Sequence, residues 1–290
     1  MEEQLEKIFI VLNHQIFVLI WCRNFFVYCL HINHKSIKMK KQLILIFVLL
    51  GTFCIAQQRM FVTLHYVTVN NQDAQAHIDS EKEYFSKGHK SAIDSGNKIG
   101  WDMWVLENPG YRENHTTFIY AHLQDPDKVI NSNMSGESGN NFSNSELAMV
   151  REKWGNRVVK SGAITVSYKG GFVPASNQAP PKYAVLDWMV VDPADFYEYE
   201  QMELKTFLPM QKSNKSVKGW GLHKVVTPRN NNVNAASYVV ARFFDNMSDI
   251  QNMMDQTNPM SKNMKATMTK MYNLRSIRRS QVLRLILSER

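Results

Sequence analysis

The feature that most constrains this chain is that its body is written twice. The segment HYVTVNNQDAQAHIDSEKEYF, starting at His65, lies beside DWMVVDPADFYEYEQMELKTF, starting at Asp187, without a gap. After a short indel the match resumes, with Gly100-Trp101 opposite Gly219-Trp220 and Pro109 opposite Pro228. A third block sets Tyr120-Ala121-His122 against Val240-Ala241-Arg242. Three blocks in one order mark an internal duplication, so whatever the first copy folds into, the second must fold into as well.

Each copy reads as the same series of elements. Met60 to Val69 is β-branched and aromatic with no breaker, which predicts a strand. Residues 72–95 carry Ala76, Ser80 and Tyr84 at helical spacing among charged residues and stop at Gly96, which predicts a helix. Ile99 to Leu106 and Thr116 to Leu123 are further strands, separated by the polar turn ENPGYREN. Asp125-Pro126 opens a second helical stretch. Beyond an Asn-, Ser- and Gly-rich loop at 131–145, a helix near 146–158 leads to a strand near Ala163 to Tyr168, giving the order βαββαβ. The second copy repeats it with strands near 183–191, 219–226 and 237–244 and helices at 194–214 and 247–271. A basic segment follows from Asn273, expected as an edge strand or helix with an exposed cationic face. A βαββαβ unit makes a four-stranded antiparallel sheet with its helices on one face and an apolar bare face on the other. The expected fold is therefore α+β: two tandem ferredoxin-like repeats packed sheet to sheet as a single-chain α+β barrel. Because the duplication closes the barrel, the chain is expected to be a monomer or weak oligomer.

Charge and cysteine matter through their position. The three cysteines (Cys22, Cys29, Cys54) all precede residue 57, so the repeats hold no thiol nucleophile, disulfide or Cys-ligated metal. Of 34 Lys+Arg and 26 Asp+Glu, residues 1–56 hold 6 and 3, and 261–290 hold 8 and 1, leaving 20 and 22 between them. The near-neutral body offers no basic face for nucleic acid. Lys40 and Lys41, the apolar run Leu43 to Ile55 and the small Ala56 before Gln57 read as a secretory signal. That run is shorter than the roughly 20 residues a membrane span needs, so no stable membrane anchor is expected in the mature form. The organisation expected is residues 1–38 as an upstream extension outside the true start at Met39, 39–56 as signal peptide, 57–180 as the first repeat with linker and 181–290 as the second. The mature protein is expected to be exported, periplasmic or secreted.

The recurring Glu-x-x-x-Phe (Glu81 to Phe85, Glu203 to Phe207), then Gly-Trp, then Pro pattern is similar to that of a group of exported bacterial proteins. Over roughly 60–290 the chain resembles the dimeric α+β barrel superfamily in its fused two-repeat form. That resemblance implies a range of activities, among them cofactor-free monooxygenases and haem-binding or haem-degrading enzymes, so it does not choose one.

The residues add their own constraints. HExxH, GxSxG, GxxxxGK and a strand-linked GxGxxG are all absent, which lowers the case for zinc, serine-hydrolase, nucleotide and dinucleotide chemistry. Candidates are instead polar strand residues that would line the space between the halves. His65 and Asp187 occupy matching places and, meeting across a pseudo-twofold axis, would make a base with an orienting carboxylate. Trp104, His122, His223 and Arg242 form a second, ligand-binding set, since His122 aligns with Arg242 and Trp104 with His223, and divergence between copies is what an asymmetric pocket would leave. Glu81 with Glu203, His77 and His89 read as helix-face or structural residues, and Trp101 with Trp220 as core. The expectation is a small organic ligand held between the halves, with a cofactor-independent monooxygenase-like activity open. No cofactor or metal is required by the residues, although the resemblance leaves haem open through His122 or His223. A haem-binding protein and a noncatalytic interaction module are the alternative classes.

Overall fold

The computed structural model describes residues 60–107, 114–128, 143–174, 178–228, 234–255 and 259–290. The expected upstream extension, the signal peptide, most of the stretch after Asp125-Pro126 and the centre of the ENPGYREN turn lie outside them. The first half runs β1 (Phe61–Asn70), helices α1 (Ala74–Ser80) and α2 (Ser86–Asp94), β2 (Gly100–Leu106), β3 (His115–Gln124), α3 (Asn144–Arg157) and β4 (Val158–Phe172). The second runs β5 (Tyr183–Val191), α4 (Phe196–Met202), α5 (Leu208–Ser213), β6 (Gly219–Thr227), β7 (Tyr238–Phe244), α6 (Met247–Met254), α7 (Lys262–Leu274) and β8 (Arg275–Glu289).

The strands close into one eight-stranded antiparallel barrel in the order β1-β3-β2-β8-β5-β7-β6-β4. Within each half the order is the same, β4-β1-β3-β2 and β8-β5-β7-β6. The long strands β4 and β8 join the halves. β4 pairs with β1 and then crosses to β6, while β8 pairs with β5 and then crosses to β2. Gly171 lets β4 approach β6 so closely that a Cβ there would sit 2.1 Å from the Trp220 carbonyl oxygen. The basic C-terminal segment is therefore no edge: it is an integral barrel strand paired on both sides. Its arginines are engaged as well, Arg284 with Glu107, Arg278 with the Asn234 carbonyl and Arg279 on the Trp188 ring.

Strand alternation splits the apolar residues into three layers. The barrel interior takes Val62, Leu64, Trp104, Ile119, Ala121 and Val166 from the first half and Ala184, Leu186, Trp188, Val239, Ala241 and Leu283 from the second. Outside, Val67, Val69, Trp101, Met103, Phe118 and Tyr120 pack beneath the first half's helices. Val185, Met189, Trp220, Leu222, Tyr238 and Phe244 do the same in the second half. Local signals explain the helix ends. Gly96, at φ 72, turns the chain out of α2, and Ser143 with Glu146 forms a reciprocal capping box at the start of α3.

The helix over the first strand pair is not uniform in either half. Between α1 and α2, Glu81–Phe85 winds as a π-helix, and between α4 and α5, Glu203–Phe207 does the same. Both π segments fall on the repeated Glu-x-x-x-Phe. The widened turn brings a glutamate onto the buried face of each helix, Glu81 at 3% and Glu203 at 4% exposure.

Candidate functional site

The interior of the barrel is not where the polar candidates meet. β1 and β5 are opposite strands of the closed barrel, with three strands between them in either direction. His65 and Asp187 both face outward, on the faces that also carry Val67 and Val69, and Val185 and Met189. The expected His65–Asp187 pair across the axis is thus corrected: each side chain lies beneath or beside its own half's helices. The residues that do meet at the axis are their neighbours Tyr66 and Trp188. Tyr66 OH and Trp188 Nε1 both donate to Gln281 Oε1, at 3.1 and 2.7 Å.

The second set divides likewise. Trp104 points inward and packs against Phe243 at 6.1 Å. His223 lies over Gly221 and beside the Tyr168 ring at 5.5 Å, and burial lowers its pKa to about 4. His122 and Arg242, aligned in the sequence, occupy equivalent outward positions: His122 lies opposite Thr63 and Trp101, and Arg242 opposite Val185 and Trp220.

What the first half assembles is a polar cluster between its helices and the outer face of its sheet. Outward alternation on β3 presents Tyr120 and His122; β1 supplies His65; and α1, the π segment and α2 supply His77, Glu81 and His89. Tyr120 OH donates to Glu81 Oε1 at 2.9 Å, and His77 Nε2 lies 2.6 Å from the same phenol oxygen. The single phenolic proton is committed to Glu81, so His77 donates from Nε2 and its Nδ1 is left as a buried acceptor without a partner. From α3, Trp154 Nε1 donates to Glu81 Oε1 at 2.7 Å. Arg157 fixes α3 against α1 through the Ala76 carbonyl and Ser80 Oγ, both at 2.8 Å. Burial pushes Glu81 up to about 7, against the pull of the Trp154 and Tyr120 hydrogen bonds. Burial, with Arg157 nearby, lowers His77 to about 4.

Beside this chain sits a second one. Lys98, 6% exposed, places Nζ 2.9 Å from His89 Nδ1 and 3.3 Å from His122 Nδ1. Burial and the Lys98 charge hold His89 near 2 and His122 near 3, so both imidazoles are neutral. Trp101 lies against His89 at 4.7 Å and stacks on Tyr120 at 5.9 Å, and its buried Nε1 has no hydrogen-bond partner. The partly exposed rings His65, Phe85, His122 and Trp154 mark the side of the cluster that reaches solvent.

The second half, built on the same positions, is filled differently. Tyr199 replaces His77, Val240 replaces Tyr120, and buried Val217 stands at the place of Lys98. Arg242 pairs with Asp187, which also accepts from Ser280 Oγ, and Arg242 Nη1 reaches Met253 Sδ at 3.0 Å. Glu203 keeps a pKa raised to about 7 by burial.

No group of three or more His, Cys, Asp or Glu side chains arranged to hold a metal occurs among the described residues. Haem through His122 or His223 does not fit, since neither has the setting of an axial ligand. His223 packs over Gly221 and beside the Tyr168 ring, and His122 Nδ1 is taken up by Lys98 Nζ at 3.3 Å.

The sequence matches no protein-family model and no curated protein. In structure the chain is similar to a presumed monooxygenase from Fusobacterium nucleatum, with a TM-score of 0.55 and 13% identity over 80% of this chain and 95% of that one. It is equally similar to a presumed monooxygenase from Lactobacillus acidophilus, with a TM-score of 0.55 and 9% identity over 80% and 96%. At such identities these likenesses establish the fold, an α+β barrel, and leave the chemistry to the site.

Proposed function

We propose that this protein is an exported α+β barrel of two ferredoxin-like repeats, monomeric or weakly associating. Its first repeat binds a small aromatic molecule between helices and sheet and oxidises it without a cofactor, in the manner of a monooxygenase. The observation that carries the reading is the buried Glu81–Tyr120–His77 chain with Trp154, present in one copy of a duplicated fold and replaced in the other. The two similar structures named as monooxygenases support the reaction class. The binding place differs from the space between the halves expected from the sequence, because that space is packed with apolar side chains.

A carboxylate with a pKa near 7 is a base matched to neutral pH. Ionised Glu81 receives a proton from an acidic C–H or O–H of the substrate, directly or through Tyr120, while neutral His77 holds the phenol in place. The resulting carbanion or enolate is electron-rich enough to react with dioxygen, the co-substrate. For a methylene flanked by aromatic rings the balance is CH2 + O2 giving C=O + H2O, with all four electrons coming from the substrate. Oxygen uptake measured across a panel of reduced polycyclic phenols tests the reading. The expected result is turnover that rises with pH through about 7 and falls at least about 100-fold in Glu81→Gln. Uptake indifferent to Glu81→Gln, or absent across the panel, refutes it. Export is tested on the same material: the mass of the protein recovered outside the cytoplasm is expected to start at Gln57, and an intact N-terminus refutes it.

A further inference from the structure

The two oxygens of the Glu81 carboxyl are not equivalent. Trp154 Nε1 donates to Oε1 at 2.7 Å, and Tyr120 OH donates to the same atom at 2.9 Å. A carboxyl oxygen offers two lone pairs, and these two donors take both. His77 Nε2 stands 3.8 Å from Oε1 and points its proton at the phenol oxygen, 2.6 Å away. Among the described residues no hydrogen bond reaches Oε2. Nor is Oε2 one of the buried side-chain atoms left without a partner, so solvent reaches it through the 5% of the side chain that is exposed.

Of the two donors, Trp154 is the one that cannot be reversed. A proton on Oε1 would require Tyr120 to turn its hydroxyl away, toward His77, which a phenol can do. The indole N–H donates and never accepts, so it would still face the protonated oxygen. α3 holds it there: Arg157 pins that helix to α1, and the indole packs against Phe85 at 6.4 Å and His77 at 5.6 Å. The second half keeps the carboxyl, Glu203, without either donor. Val240 stands for Tyr120, and the matching pairs Val69–Val158 and Val191–Arg275 put Met271, fully buried and lacking an N–H in its side chain, at the place of Trp154.

We propose that Trp154 is a positioning residue that acts through Glu81: with Tyr120 it fills Oε1, so that Oε2 is the oxygen on which Glu81 gains and releases its proton. This rests on the reading of Glu81 as the base and deepens it. The substrate C–H or O–H bond breaks, its proton bonds directly to Oε2, and its electron pair stays on the substrate. Tyr120 remains a donor throughout and is not a relay.

The test is infrared difference spectroscopy of the full chain between pH 5 and pH 8.5, with no substrate present. Subtracting the Glu81→Gln spectrum isolates the Glu81 carboxyl, because the imidazoles of His65 on β1 and His77 on α1, and Glu203 in the other half, are common to both proteins. Tyr120 on β3 and Arg157 on α3 keep their charge states over this range. The expected result is a carboxyl C=O band at the low wavenumber of a carbonyl that accepts two hydrogen bonds, titrating near 7. Trp154→Phe is expected to move the band to higher wavenumber. It should also raise the titration midpoint by about one pH unit, since the lost bond is stronger to the carboxylate than to the acid. Should Trp154→Phe not fold, Tyr120→Phe removes the other donor from Oε1 and is expected to shift the band in the same direction. A wild-type band at the position of an unbonded C=O, unmoved by either substitution, places the proton on Oε1 and overturns the proposal. A band that shifts in Trp154→Phe with no change of midpoint overturns the positioning role. The expected spectra together with oxygen uptake indifferent to Glu81→Gln would remove the base and leave the place of the proton standing.

Discussion

Replacing Glu81 by Gln should make the protein more stable above neutral pH while disabling it. Glu81 is 3% exposed, and burial raises its pKa from 4.5 to about 7. A carboxyl whose folded pKa lies above its unfolded value binds its proton more tightly when folded. The stability it contributes is fully present below about 4.5 and is lost as pH rises to about 7. At about 1.4 kcal/mol for each unit separating the two pKa values, the ionised side chain costs the folded state about 3.5 kcal/mol at pH 8.5 and about 1 kcal/mol at pH 5. A glutamine side chain has the shape of the protonated acid, and its carbonyl oxygen would still accept from Tyr120 and Trp154, so Glu81→Gln removes the linkage and keeps the contacts. Urea unfolding of both proteins at the two pH values should therefore show the variant gaining about 2.5 kcal/mol on the wild type between pH 5 and 8.5. With m of roughly 3 kcal/mol/M, this is about 0.8 M in midpoint. Glu203 titrates in the same range, but it is present in both proteins and cancels in the difference. A stability difference that does not change with pH would show that Glu81 is not held protonated by burial, and the proton-transfer role assigned to it would go as well.

In the second half, Asp187→Asn leaves Arg242 part-buried without its counter-charge and should cost about 3 kcal/mol in urea unfolding. Oxygen uptake with the panel of polycyclic phenols should be unchanged, and a loss of it would mean that the two halves do not divide the work as described. Gln281→Leu strips the acceptor shared by Tyr66 and Trp188 at the barrel axis and should cost about 2 kcal/mol; a cost under about 0.5 kcal/mol would contradict that role. Haemin titrated into the protein should give no ligated Soret band, and one that disappears in His122→Ala would restore the haem reading.

Much of the fold was legible in the sequence because duplication, strand composition and breakers are local signals. The aligned blocks predicted equivalences that the strand registers reproduce: His65 lies opposite Tyr120 as Asp187 lies opposite Val240, and Trp101 opposite His122 as Trp220 lies opposite Arg242. The site was less legible. His77, Glu81 and His89 read as members of a charged helix face, because a π segment cannot be seen in spacing counted at 3.6 residues per turn. The repeated Glu at the start of Glu-x-x-x-Phe was the available clue, since a buried acid kept in both copies asks for a partner. Lys98 carries no signal of its own, being one lysine shortly before a Gly-Trp.

By itself the sequence determined the element order as far as the C-terminal segment, the likeness of the two copies and the absence of cysteine from them, since each depends on residue identity and short-range pattern alone; that the C-terminal segment is a strand paired on both sides came only from the structure. The sequence also sorted the residues of β1 and β5 correctly into two faces. Which face lines the barrel was decided only by the tertiary structure. In an ordinary half-exposed sheet the polar face marks the outside, but here one face is buried in the barrel and the other under helices, so both are apolar. The choice between them follows from long-range closure, when β4 and β8 cross from their own half to the other and turn Tyr66 and Trp188 inward, leaving His65 and Asp187 on opposite outer walls.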